Sequence, residues 1–163
     1  VTEESIVDQI EEASATSQFV IVDLEGTASL MVANAIGMSD LVLIPTQGSS
    51  MDARGGAKTI RLISNQAKMA RRSIPHCVVL TRTSAAVRSR ALKNVQEQLA
   101  AANGIEVCRV PIVERAAYRD LFDYGGTLTD LDPSQVSNVE KACINARDFA
   151  GAVVARLKQE VPA

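Results

Sequence analysis

Three short apolar runs decide the reading of this chain: Phe19-Val-Ile-Val-Asp23, Leu41-Val-Leu-Ile-Pro45 and Cys77-Val-Val-Leu-Thr81. Ile105-Glu-Val-Cys-Arg-Val110 is a weaker fourth. Runs without polar alternation suit strands buried on both faces, as in parallel sheets. The segments between them carry helical spacing. Residues 28–38 are rich in Ala, Met and Val. In 51–72, Ile60, Ile63, Ala67 and Ala70 share one stripe. In 84–102, Val87, Ala91, Val95 and Leu99 recur every four residues, and Gly104 follows as a helix stop. Two further helices come after the fourth run. Asp132-Pro133 reads as a helix start, with Pro in the first turn. Val136, Val139, Cys143, Ala146, Phe149, Val153 and Leu157 then trace a long closing helix. The expectation is α/β: a parallel sheet with helices on both faces and right-handed crossovers, in one domain over 1–163.

Composition narrows the function. The 163 residues are 47% hydrophobic and carry a formal net charge of −2, which excludes a uniformly basic nucleic-acid binder. The charge is segregated, however. Residues 1–52 hold nine acids and no Lys or Arg, residues 53–96 hold ten bases and no acid, and residues 97–163 hold ten acids and seven bases. Such asymmetry points to an anionic partner for the middle segment. Five aromatics, with no Trp, argue against a base-stacking platform for single strands. Three widely spaced cysteines and a single histidine make neither a disulfide framework nor a zinc site. No apolar run reaches membrane-spanning length, and a signal peptide is not expected.

In a parallel sheet, ligands bind beyond the carboxyl ends of the strands. Here those ends read Asp23-Leu-Glu-Gly26, Pro45-Thr-Gln-Gly48, Thr81-Arg-Thr83 and Pro111-Ile-Val-Glu114. An apolar strand ending in Asp can hold a magnesium ion through water beside a nucleotide phosphate. The same Asp23 can instead cap the helix that follows. Glu25 could orient an attacking water, or be a solvated loop acid. Gly26 lets the backbone pass close to a phosphate. No G-x-x-x-x-G-K-[ST] occurs in the sequence. Gly55-Gly56-Ala-Lys58-Thr59 lies inside a helical pattern, so close helix packing explains its glycines better than phosphate binding.

The ordered set Phe19–Asp23, Ser39–Gln47, Cys77–Arg82 and Val110–Arg115 resembles the ParA/MinD family of deviant-Walker P-loop ATPases, which partition plasmids and chromosomes. Tyr118-Arg-Asp-Leu-Phe-Asp-Tyr-Gly-Gly126 resembles its partitioning and conjugal-transfer members. The likeness corresponds to the family's C-terminal two-thirds, so the first strand and phosphate loop would precede Val1. It implies a three-layer P-loop fold of the SIMIBI type. It implies that Asp23 holds Mg2+ through water and that Gly26 lies where the γ-phosphate is sensed. Thr81 and Arg82 would contact the adenine, and Pro111, Ile112 and Val113 would pack against it. It further implies ATP-dependent dimerisation, DNA binding without sequence preference, hydrolysis stimulated by a ParB-like centromere-binding partner, and a cytoplasmic, nucleoid-associated location.

Arg54, Lys58, Arg61, Lys68 and Arg72 form one helical stripe, and Arg82, Arg88, Arg90 and Lys93 form a second basic group. Either suits duplex phosphates, or is a solvated face balanced by the acidic first third. The second group is favoured as the DNA contact, since the matching region of the family supplies arginines. Two other functions stand beside the ATPase: a catalytically silent DNA- or protein-binding module, and a related nucleotidase that positions itself on membranes. The closing Arg156-Leu-Lys-Gln-Glu-Val-Pro162 lacks the bulky apolar face of a membrane-targeting helix. Without a phosphate-loop lysine and amides, the chain by itself is expected neither to bind ATP tightly nor to hydrolyse it. A homo-oligomer, in the first instance a dimer, is expected.

Overall fold

The computed structural model describes residues 5–25, 29–47, 50–84 and 106–160, with only the helical backbone at 50–54 and 160. Gly26, Gly48, Arg88, Arg90, Lys93, the side chain of Arg54 and nearly all of the expected 84–102 helix lie outside the described residues. The elements are α1 (Ile6–Thr16), α2 (Leu30–Met38), β1 (Val42–Thr46), α3 (Ser50–Ala70), β2 (His76–Leu80), α4 (Ala116–Tyr124) and α5 (Val139–Glu160). The order is α/β, with a small parallel sheet. Contacts divide the chain into two units: 1–42 with 57–76, and 43–56 with 77–163.

In the first unit, α1 packs against α2. The serine before α2 accepts the Val32 amide on its hydroxyl (3.2 Å), so Ser29 caps this helix, and not Asp23. Val32, Ala33, Ala35 and Ile36 are buried, which accounts for the small, apolar composition of the segment. At the other end of α2, Arg72 donates to the carbonyls of Gly37 (2.6 Å) and Ser39 (2.9 Å). A cation there satisfies carbonyls that a helix C-terminus leaves without partners. The stripe reading of α3 holds in part: Ile63 is 1% exposed and Lys58, Arg61 and Lys68 are exposed, but Ala70, expected on the inward stripe, is exposed at the helix end. Arg71, in the left-handed region (φ 52°), follows the last helical residue.

One expected strand is absent. Phe19–Asp23 has no strand pairing, and Ile21 is 91% exposed. An apolar run becomes a strand only where another backbone meets its N–H and C=O groups, and among the described residues none does. The helix before it, α1, is an element that strand-centred reading passed over.

The second unit holds the sheet. Hydrogen bonds run from Val42 N to Pro75 O at the start and from Thr81 N to Thr46 O at the end, so β1 and β2 rise together. On the far side of β2, Val78 bridges Val107 and Thr83 bridges Val113, both parallel. The register slips by one residue between these bridges, where Arg109 and Val110 bend. β2 therefore lies between two neighbours, and Cys77 through Leu80 are all 3% exposed or less. Its unbroken apolar character follows from burial on both faces. Pro45, which has no N–H to give, is exposed in β1, which has β2 as its one described neighbour.

Phe149 and Ala152 of α5 cover Cys77, Val79 and Cys108. The thiols are free, and burial pushes that of Cys77 up to about 12. A second cluster forms where α4 meets α5: Ala117, Leu131, Val136, Val139 and Ala142. The closing helix starts at Val139 rather than at Asp132-Pro133. The backbone of Asp132 accepts from Gln135 and Val136 in a single turn, then Asn138 (φ 59°) breaks the path before α5 begins. The glycine pair Gly55-Gly56 lies within α3, not in a phosphate loop. A Cβ at Gly55 would meet nothing, and one at Gly56 would make ordinary contacts with Thr46 and Ile44, so close packing does not require either glycine.

Candidate nucleotide edge of the sheet

The carboxyl end of β2 meets the segment that follows the third sheet position. Ile112 N donates to Leu80 O (2.8 Å), Thr83 N to Ile112 O (3.2 Å) and Glu114 N to Thr83 O (2.9 Å). Thr83 Oγ1 adds a bond to the same Ile112 carbonyl at 3.3 Å. On the opposite side, Thr81 N is held by Thr46 O at 2.9 Å. Thr81, Arg82, Pro111, Ile112 and Val113 are thus brought to one edge. That edge is the carboxyl end of parallel strands, the usual place for a ligand.

Arg82 sits at its centre with φ 51°. A non-glycine residue in the left-handed region costs about 1 kcal/mol, and such residues concentrate at functional sites. Its side chain is 68% exposed and its Nε lies 3.8 Å from Glu114 Oε2. The other carboxylate oxygen of Glu114 takes a 2.6 Å bond from Arg119 Nη1. Both pairs are open to solvent, so they orient the side chains more than they stabilise the fold.

Two residues of this edge escaped the reading of the sequence. Asn145 of α5 donates from Nδ2 to Pro111 O and accepts from Val113 N on Oδ1, both at 2.9 Å. The Tyr118 hydroxyl donates to Ala142 O at 3.1 Å and lies 3.4 Å from Asn145 Oδ1. Burial, partly opposed by Arg115, pushes the Tyr118 phenol above its ordinary value, so it stays a donor. A signal was present. Asn145 stands three residues after buried Ala142 and four before Phe149, on the inward stripe, where a polar group must find partners.

A family model described as VirC1 protein matches residues 3–158. The chain belongs to the VirC1 family. It is also 42% identical, over 159 residues, to Protein ParA of Rhizobium radiobacter, covering 98% of this chain and 71% of that protein. The ParA-like assignment read from the strand ends is therefore correct.

Two further candidate residues of this VirC1-family chain, Asp23 and Glu25, belong to the first unit. Both are exposed and lie outside any helix or strand. Asp23 borders a pocket of about 340 Å3 with Ile6, Ile10, Val20, Val22 and Met31. Among the described residues, no group of three or more His, Cys, Asp or Glu could hold a metal by itself. Nor is any described helix long and apolar enough to cross a membrane.

Proposed function

We propose that this chain belongs to a partition-type ATPase and carries the base-recognition edge of its nucleotide site. The observation that carries this reading is the convergence of Thr81–Arg82 with Pro111–Val113 at the carboxyl ends of parallel strands, in a chain of the VirC1 family. In this reading the domain is a three-layer P-loop fold. Thr81 and Arg82 meet the edge of adenine, and Ile112 and Val113 supply the apolar shelf beneath it. Asp23 holds Mg2+ through water. The donor chemistry fits, because magnesium keeps most of its waters and takes one or two carboxylates, and Asp23 is an exposed carboxylate. The ion supplies charge neutralisation at the phosphates when bound. Glu25 orients the water that attacks, and Gly26 lines the γ-phosphate.

The same reading includes ATP-dependent dimerisation, binding to duplex DNA on the nucleoid without sequence preference, and a ParB-like partner that stimulates hydrolysis. Arg82, Arg88, Arg90 and Lys93 are the proposed DNA contacts. The side chains of Lys58, Arg61 and Lys68 on α3 are exposed as well.

Two titrations test it. ATP should shift the backbone amides of Thr81–Ser84 and Ile112–Glu114 more than GTP does in NMR spectra of the chain. Because the chain by itself is expected to bind ATP only weakly, the titration runs to millimolar nucleotide, and no response there to either nucleotide rejects the base site. Duplex binding should fall about a hundredfold between ~50 and ~200 mM salt if roughly four phosphates are contacted. Arg88→Ala with Arg90→Ala should remove much of that dependence. Salt-sensitive DNA binding without any adenine response would favour the silent binding module instead.

A further inference from the structure

The Pro111–Val113 segment is held from both sides, by different means. Toward β2 the bonds are backbone to backbone: Ile112 gives its N–H to Leu80 and its carbonyl to Thr83. On the opposite side, among the described residues, no strand supplies partners to the Pro111 carbonyl or the Val113 amide. Asn145 does so, with one side-chain amide whose donor and acceptor are matched to both groups at 2.9 Å. An amide on a helix thereby takes the place of an adjoining strand. Orientation is forced: a carbonyl needs the Nδ2 donor, and an N–H needs the Oδ1 acceptor. Tyr118 sits against that acceptor and ties α4 to the same point of α5 through Ala142 O. The clamp falls just after the register slip at Arg109–Val110, where the pairing to β2 is interrupted.

We propose that Asn145, backed by Tyr118, is a positioning residue that sets the base-recognition segment and so selects adenine over guanine. The inference rests on the nucleotide reading of the edge given above. A shelf fixed on both sides presents Ile112 and Val113 at one height relative to Thr81 and Arg82. A shelf held on one side alone can shift and admit either purine. The consequence falls on selectivity between bases rather than on affinity for phosphate.

The test is an NMR-detected titration of the full chain with ATP and, separately, GTP, for wild type, Asn145→Ala, Asn145→Asp and Tyr118→Phe. In Asn145→Ala, ATP affinity should fall on the order of tenfold, about what the loss of such bonds costs, and the ATP-to-GTP ratio should approach one. Asn145→Asp keeps the acceptor for Val113 N and loses the donor for Pro111 O, so its ratio should lie between. Tyr118→Phe should lower the ratio less than either change at Asn145. A merely structural role would lower thermal stability and weaken both nucleotides together, with the ratio unchanged, and that result overturns the proposal. Should Asn145→Ala fail to fold, a wild-type ratio in Tyr118→Phe and Asn145→Asp overturns it equally. A wild-type chain that responds to neither nucleotide overturns the nucleotide reading, and this inference with it.

Discussion

Phe19–Asp23 and Cys77–Leu80 look alike as sequence, yet they have opposite environments. Both are short β-branched or aliphatic runs leading to a polar residue. In the second, every residue is 3% exposed or less, with a neighbour on either side and α5 across one face. In the first, Phe19 is 55% and Ile21 91% exposed, and no described backbone pairs with it. Apolar patterning records a tendency to be covered. Whether a run becomes a strand depends on a second backbone arriving with unpaired donors and acceptors.

The largest expected effect of this contrast is on stability. Leu80→Ala should cost about 2–5 kcal/mol, the usual range for emptying a buried leucine site. Ile21→Ala should stay within about 0.5 kcal/mol, as exposed substitutions do. Chemical denaturation of both variants measures the difference, and equal losses would break the comparison. Amide hydrogen exchange sharpens it residue by residue. The amides of Val78, Cys108 and Ile112, all hydrogen-bonded in the sheet, should exchange far more slowly than those of Val20, Ile21 and Val22.

A smaller effect is expected at the cap beside the open run. Ser29→Ala removes the acceptor of the Val32 amide and should cost about 1 kcal/mol, whereas Asp23→Ala should leave stability unchanged. A larger loss at Asp23 would restore the capping role to it. The smallest effect concerns acid stability. The Thr127 hydroxyl and amide hold the Asp130 carboxyl below its ordinary value, and the Ser134 amide does the same for Asp132. A depressed carboxylate adds stability above its unfolded-state value and loses it as pH falls through the folded one. Asp130→Asn should therefore lower stability slightly at neutral pH and make it less pH-dependent in the acid range. The difference should vanish once both states are protonated. Unfolding curves taken down through that range would show it.

Much of the second unit could be read without coordinates. β2 and the meeting of Thr81–Arg82 with Pro111–Val113 follow from buried-strand patterning and from the rule that ligands sit at strand ends. Asn145 was missed because an amide inside an apolar stripe announces only that it has partners, not which backbone supplies them. The break at Asn138 was missed because Asp132-Pro133 is a sound local start signal. Val136 and Val139 both enter the core beneath α4, although a left-handed residue separates them. α1 was passed over for lack of an apolar run, although its Ile6 is buried.

The sequence by itself determined the α/β pattern, the family, the charge segregation and the residue types at the strand ends. These depend on spacing and side-chain chemistry, which are local. Only the tertiary structure decided which apolar runs are paired, that Ser29 rather than Asp23 caps α2, that Arg72 is engaged at the end of that helix, and that Asn145 stands in for a strand. Each of these is a hydrogen bond between groups whose partner is chosen by packing. A chain can specify that a donor must be met without specifying, in any short stretch, what will meet it.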